Sequence, residues 1–387
     1  VPFFFFGVKL KDVVRENFFL IGPLGFEDSL EAEIREIQPW ILGGDGRPTS
    51  ERIEVIRVRK GGLELRAPRL EGCQLVHHVK GAVRLLWRWK SKKISHVSEL
   101  KTYLRGLRPQ DFFEGPIRLE IQSRKSRLQN EKMLLRVFKE DWPQTSDQAE
   151  QVLYVDVYDD QFTLSWDLCG EPLFKRGRTP FKGQAPLREN LASLLLRELV
   201  SGYTAPELRD FTLLDPMMGS GTFLWEALGA REPVVARKFA YQDLKGIPSL
   251  LKTEWWKNLP PRSQMGLFST VWGLDQDPKV LEIAQNNSRS FEGRDIVLQV
   301  QDVLRPPSKK PAGPTLMISN PPYGERLEVQ SIFKLLESAL DSYQPHKALF
   351  VWPEGPIPSV PNYRADRTRQ FLQGGIPVQA VVFSRIS

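Results

Sequence analysis

Apolar and polar positions follow one rhythm in the first half of the chain and another in the second. From Asn17, FFLIGPLGFEDSLEAEIREIQPW reads as a short strand, a Gly-Pro turn and an amphipathic helix with Leu30, Ile34 and Ile37 on one face. ERIEVIRVRKGGLELRAP alternates apolar and polar residues across Gly61-Gly62, the pattern of a β-hairpin. VHHVKGAVRLLWRWK looks helical, and LYVDVYDDQFTLSWDL is a second alternating hairpin that turns at Asp159-Asp160. These elements predict a small unit that mixes helices with hairpins.

From Phe211 onward, the runs FTLLD, VWGLD, IVLQVQD, TLMISN, KALFVW and VQAVVF alternate with helix-like segments such as PKVLEIAQNNSRS and SIFKLLESAL. Apolar strands separated by helices predict a parallel sheet covered on both faces, the doubly wound α/β class. Leu187, Leu191, Leu194 and Leu195 precede it at helical spacing. Between the halves, Glu140 to Asp167 holds eight acidic residues and no basic ones. Lys175, Arg176, Arg178, Lys182 and Arg188 follow within a Gly- and Pro-containing stretch, GEPLFKRGRTPFKGQAP, which reads as the linker.

Composition narrows the class. At 387 residues, 41% hydrophobic and 26% charged, the chain suits a soluble protein of two or three domains, and no apolar run approaches a membrane span. The start, VPFFFFGVKL, has too short an apolar run, with no basic residue before it, for a signal peptide. Cys73 and Cys169 are the two cysteines, far apart, which favours a reducing, cytoplasmic setting. The adjacent His77 and His78 lack partners at ligand spacing, so they read as surface or strand residues and no metal is expected. The formal charge of +7 is uneven: Arg52 to Lys139 contains 22 Lys and Arg against 8 Asp and Glu, an excess of 14, so the rest of the chain is net negative. That concentration suits a phosphate-backbone binder, with a solvated charged surface as the competing reading.

The chemistry-bearing residues cluster at strand ends. FTLLDPMMGSGTFLWEAL is a strand ending in Asp215, a loop with Gly219 and Gly221, and a helix. It matches neither GxGxxG nor GxxxxGK[ST], yet its glycines permit a tight turn and close ligand approach. Asp275 ends VWGLD, where a carboxylate can accept both donors of a ribose diol, and Asp302 ends VLQVQD, where a third acidic residue can accept from the exocyclic amine of adenine. Asp277, before Pro278, reads as a helix cap. In SNPPYGERL the prolines stop a strand and hold Asn320 and Pro321 extended. Alone, that motif is a strand-ending turn; in order with three strand-end carboxylates it reads as a site.

Asp215, Asp275, Asp302 and Asn320 together resemble the Rossmann-like S-adenosylmethionine-dependent methyltransferases, and Asn320 to Tyr323 resembles their amine-methylating NPPY motif. The resemblance implies that the loop containing Asp215, Met217, Met218, Gly219, Gly221 and Thr222 wraps the methionine portion of the cofactor. It implies Asp275 with Gln276 at the ribose, Asp302 with Val303 at the adenine, and Asn320, Pro321, Pro322 and Tyr323 at the substrate amine, Asn320 also bordering the cofactor.

FFLIGPLGFEDSLEAEI, VRKGGLELRAP and the basic segment after them resemble the ferredoxin-like and THUMP modules of bacterial ribosomal RNA guanine-N2 methyltransferases. RKFAYQDLKGI and KTEWWKNL resemble that family's insertion between the first two sheet strands. The organisation implied is a ferredoxin-like part over 1–56, a THUMP-like RNA-binding domain over 57–168, a linker over 169–184 and a Rossmann-like methyltransferase domain over 185–387. RNA contacts are expected from Arg84, Arg88, Lys92, Lys93, Arg124, Lys125, Arg127, Lys175, Arg176 and Arg178. Two departures stand out: MLLRVFKEDWPQTSDQ reads as a less regular helix than the family's, and no second methyltransferase domain follows VFSRIS.

The implied activity is cytoplasmic methylation of guanine N2 in RNA, with 23S ribosomal RNA as substrate. Transfer RNA guanine is an alternative substrate, because THUMP-like modules also occur on transfer RNA enzymes. DNA adenine-N6 methylation uses the same NPPY chemistry, and a non-catalytic RNA-binding assembly factor is the reading outside enzymology.

Overall fold

The computed structural model describes residues 14–49, 52–179, 181, 187–258, 266–322 and 329–386. In its first half, β1 (Arg15–Ile21), β2 (Glu54–Arg59), β3 (Gly62–Pro68), β4 (Arg84–Lys93), β5 (Ile117–Arg124), β6 (Gln151–Tyr158) and β7 (Gln161–Asp167) form one sheet in the order β2-β3-β1-β4-β7-β6-β5. Pairing is antiparallel except between β5 and β6. The helices are α1 (Glu27–Ile37), α2 (Arg69–His78), α3 (Val97–Arg105) and α4 (Glu131–Asp141). Leu30, Ile34 and Ile37 form the buried face of α1, as their spacing predicts. The β6–β7 hairpin turns on Asp159 and Asp160 at φ 51° and 60°, the left-handed pair that a two-residue type I′ turn needs. Helix α4 is regular, with the Asn130 side chain accepting from the Met133 N–H as its N-cap.

Three expectations change here. VHHVKGAVRLLWRWK is not one helix: it contains the end of α2, a turn and β4. A short apolar and basic run has no period that separates helix from strand, and hydrogen bonding to β1 on one side and β7 on the other decides it. His77 and His78 are buried in the last turn of α2 rather than exposed. The division at 56 and 57 falls inside β2, and the sheet runs on across it.

The second half contains α5 (Glu189–Val200), α6 (Ala205–Leu208), β8 (Thr212–Asp215), α7 (Thr222–Leu228), β9 (Thr270–Asp275), α8 (Pro278–Ser288), β10 (Asp295–Val300), β11 (Thr315–Ser319), α9 (Val329–Tyr343), β12 (Lys347–Pro353), β13 (Tyr363–Gln373) and β14 (Ile376–Arg385). Its strands are ordered β10-β9-β8-β11-β12-β14-β13, parallel through β12, with β14 and β13 antiparallel. This is a Rossmann-like, mostly parallel α/β unit. Strand order reverses between β8 and β11, the switch point at which such sheets open a crevice beyond their carboxyl ends.

Buried polar contacts lock the two units together. Arg176 forms a bidentate pair with Glu226, both bonds 2.8 Å, and donates to the Lys80 carbonyl at 2.9 Å. Glu33 of α1 accepts from the Lys80 and Gly81 N–H groups and pairs with Arg197 of α5. The segment between α7 and β9 straps onto the first sheet: His77 Nε2 lies 2.8 Å from the Tyr241 hydroxyl, and the Val234 N–H donates to the His77 carbonyl. Burial holds the His77 imidazole down at about 4, so it stays neutral at this joint. The predicted linker is thus partly interior, Leu173 and Arg176 being buried.

Candidate functional site

The switch point opens into a cleft of about 1180 Å³ lined by the loop after β8, the ends of β9 and β10, Asn320 to Pro322, and the β13–β14 tip. Asp215 ends β8, Asp275 ends β9, Asp302 follows β10 by two residues and Asn320 follows β11 directly. Because these four strands are neighbours in the sheet, the residues form a row about 14 Å long at the usual interstrand spacing. Alternating strands and helices therefore bring together side chains spread over more than a hundred positions.

Asp215 is fully buried and accepts from the Ser319 hydroxyl at 2.8 Å and the Met217 N–H at 3.1 Å. Burial pushes its pKa up to about 7; those two donors pull it down and the Asp275 charge adds to the rise. Asp275 accepts from the Gly219 N–H through one oxygen and the Asp277 N–H through the other, both at 3.0 Å. Asp277 caps α8 at the Lys279 N–H, as its position before Pro278 predicts. Asp302 accepts from the Leu304 N–H at 3.0 Å.

Two glycines shape the β8 loop. Gly221 has φ 84°, and a Cβ there would meet the Trp225 ring at 2.5 Å. Gly219 has φ 56° and open space where a Cβ would stand, so its backbone borders the cleft directly. Met217, Met218, Thr222, Gln276 and Val303 also line the cleft. A carboxylate has about four acceptor positions, so Asp275 retains acceptor capacity towards the cleft beyond its two N–H bonds. The open Gly219 backbone and this residual capacity fit a ligand with a diol and a flexible polar tail.

The far end of the row differs. Asn320 Oδ1 is buried and has no hydrogen-bond partner among the described residues. Pro321 and Pro322 line the cleft beside it, and Tyr323 lies outside the described residues. Buried acceptors are mostly satisfied in folded proteins, and this orphan belongs to a residue that lines the cleft, where it suits an incoming donor.

The predicted RNA contacts separate into two groups. Lys92, Lys93, Arg124, Lys125 and Arg127 are exposed and gather around the β6–β7 turn. That turn draws them in: the Ile94 N–H donates to the Asp160 carbonyl, the Asp159 N–H to the Arg124 carbonyl, and the Ser126 hydroxyl and Arg127 N–H to the Asp160 carboxylate. Arg176 does not belong with them, because it is buried against Glu226. Arg178 pairs with Glu232 at 2.5 Å and Arg84 pairs with the buried Asp167. Arg88 lies over the Phe19 ring at 4.5 Å, half-buried, and Lys175 is exposed but paired with Glu171. Within the exposed group Arg124 pairs with Asp156 at 3.2 Å and Arg127 with Asp160 at 3.6 Å, and counting charges along the chain does not separate interior ion pairs from surface cations.

Residues 176–346 match the UPF0020 family, described as RMKL-like, methyltransferase domain. Over this segment the chain is similar to a methyltransferase domain. The chain is 30% identical over 260 residues to a ribosomal RNA large subunit methyltransferase K/L of Saccharophagus degradans; the match takes in 62% of this chain and 34% of that relative, about a third of its length. Among solved structures, SMU.472 complexed with SAH superposes with a TM-score of 0.73 at 20% identity, covering 96% of this chain and 99% of that one. TrmN from Thermus thermophilus gives 0.64 at 19% identity, over 96% and 99%. Both share the fold over nearly the whole chain, the N-terminal module included.

In the second unit, sequence reasoning missed β13. Its outward residues are polar along most of its length, so YRADRTRQFLQ has no apolar alternation to announce a strand. The strand nonetheless brings Leu372, Gln373 and Ile376 of the β13–β14 tip to the cleft. The signal that could have found it is the Gly374-Gly375 pair between YRADRTRQFLQ and the apolar run of β14, a hairpin turn.

Proposed function

We propose that this chain is an S-adenosylmethionine-dependent methyltransferase acting on the exocyclic N2 amine of a guanine in RNA, with 23S ribosomal RNA as the substrate. The observation that supports it best is the orphaned Asn320 Oδ1 at the end of a row of strand-end carboxylates. The Gly219 to Thr222 loop, with Asp215, Met217 and Met218, would hold the methionine portion; Asp275 and Gln276 the ribose; Asp302 and Val303 the adenine. Bound there, the cofactor supplies a methyl group made electrophilic by its sulfonium sulfur.

The protein's part is orientation. A purine amine is a weak nucleophile because its lone pair is delocalised into the ring. Asn320 Oδ1 and the Pro321 carbonyl accept its two hydrogens, which turns the lone pair towards the methyl-donor end of the cleft. Fixing the reactants in line contributes up to about 7–11 kcal/mol in favourable cases. Neither acceptor is a base, so the proton released by the amine leaves through the cleft mouth to water. Reaching a paired base in this cleft requires taking it out of its stack, and Tyr323 is the aromatic residue proposed to receive its face. The cation cluster of Lys92, Lys93, Arg124, Lys125 and Arg127 around the β6–β7 turn suits the RNA backbone.

The test is methyl transfer from labelled cofactor to ribosomal RNA, transfer RNA and duplex DNA in parallel. Label in ribosomal RNA supports the proposal; label in transfer RNA alone moves the substrate, and label in DNA adenine alone overturns it.

A further inference from the structure

We propose that Tyr158, on the open face of the first sheet, is a stacking platform for an unpaired RNA base, with Lys125 beside it meeting the phosphate. Side chains alternate across a sheet, so the pairings fix which residues share a face. Tyr158 lies opposite Arg124 of β5 and shares its face with Tyr154 and Asp156 of β6 and with Glu120 and Gln122 of β5. Glu120, Gln122, Arg124 and Tyr158 are exposed, whereas Val155 and Val157, on the other face of β6, are buried. This edge of the sheet therefore presents one face to solvent. The tryptophans of the basic unit offer no such ring: Trp87, Trp142 and Trp166 are buried, and Trp89 packs against Phe112, Trp142 and Trp166. Tyr158, 45% exposed, is the most exposed aromatic side chain of that unit among the described residues.

The platform is assembled before any ligand arrives. Lys125 has φ 51°, a left-handed backbone that non-glycine residues rarely adopt, and its ammonium stands 5.7 Å from the centre of the Tyr158 ring. The next turn of chain is tied down by Asp160, whose carboxylate accepts from the buried Ser126 hydroxyl and the Arg127 N–H, both at 2.8 Å. Arg124 is paired with Asp156, while Lys125 has no ion pair among the described residues. A fixed aromatic ring with an unpaired cation at its edge matches one nucleotide of a single strand, base on the ring and phosphate on the ammonium. A duplex keeps its base faces inside the stack and offers such a ring only its backbone. Every base has a flat face, so this grip is tolerant of sequence and leaves the choice of the methylated base to the cleft.

This inference rests on the RNA reading, and its test separates the two. Wild type, Tyr158→Ala, Tyr158→Phe and Lys125→Ala are titrated by fluorescence anisotropy against a short labelled single-stranded RNA and a duplex of the same sequence. Tyr158→Ala should bind the single strand at least about fivefold more weakly with an unchanged salt slope, and the duplex within about twofold of wild type. Tyr158→Phe, which keeps the ring, should match wild type on both. Lys125→Ala should instead lower the salt slope. The emission of 2-aminopurine placed in the single strand should be quenched by wild type and not by Tyr158→Ala, while the melting temperature of Tyr158→Ala matches wild type. Equal weakening on strand and duplex, or a quench that survives in Tyr158→Ala, overturns the platform and leaves the RNA reading standing. Wild type that binds neither RNA overturns both.

Discussion

The two ends of the cleft are built on opposite principles. At the β8–β9 end every carboxylate is already engaged: Asp215 by Ser319 and Met217, Asp275 by Gly219 and Asp277, Asp302 by Leu304. These bonds fix the loop before any ligand arrives, with leftover lone pairs for recognition. At the β11 end the acceptor Asn320 Oδ1 has nothing to accept from among the described residues. A buried acceptor left unpaired costs about 1–3 kcal/mol. Such a cost is recovered when a donor enters, so this end suits an incoming donor while the other end is satisfied from within. The first end is expected to control cofactor affinity, the second turnover.

Breaking this division should produce effects of decreasing size. Asn320→Ala should lower single-turnover transfer by about 100-fold or more, because the amine loses its orienting acceptor, while SAH affinity by calorimetry stays within about twofold. Asp275→Ala should do the reverse, weakening SAH by about 10- to 100-fold through the loss of charged hydrogen bonds. A common fall in both constants for either variant would erase the distinction between the ends.

Titration sharpens the cofactor end. Asp215 has its pKa raised to about 7, so ligand-free protein holds a proton there that the unfolded chain releases near 3.8. The sign follows: this group's contribution to stability falls as pH rises from about 4 to about 7, then levels. A cationic cofactor favours the ionised carboxylate. Cofactor affinity should therefore rise by up to about tenfold per pH unit below 7 and flatten above it, and Asp215→Asn should remove that slope. The smallest effect is expected at the basic cluster around the β6–β7 turn. Each of Arg124→Ala, Lys125→Ala and Arg127→Ala should reduce the salt dependence of RNA binding by about one in log–log slope, with transfer at saturating RNA unchanged.

How much was legible in the sequence depended on whether a residue's role is local. Asp215, Asp275, Asp302 and Asn320 could be found because each ends an apolar run, and strand ends in a parallel sheet point to one edge. The β6–β7 turn was legible from Asp159-Asp160 for the same reason. The β13–β14 tip was not, because β13 is mostly polar on its exposed side and reaches the cleft only through pairing with β14. Arg176 and Arg178 look identical in sequence to Lys125 and Arg127; only the packing of Glu226 and Glu232 against them turns them into interior pairs. His77 was likewise undecidable until the segment between α7 and β9 folded back to supply Tyr241 and Val234.

Nucleoside mass spectrometry on ribosomal RNA, transfer RNA and DNA from a strain lacking this gene tests the central claim most directly. The account predicts loss of one N2-methylguanosine from large-subunit ribosomal RNA, restored by the wild-type chain and not by Asn320→Ala. An unchanged ribosomal RNA profile, or a loss confined to N6-methyladenosine in DNA, would contradict it.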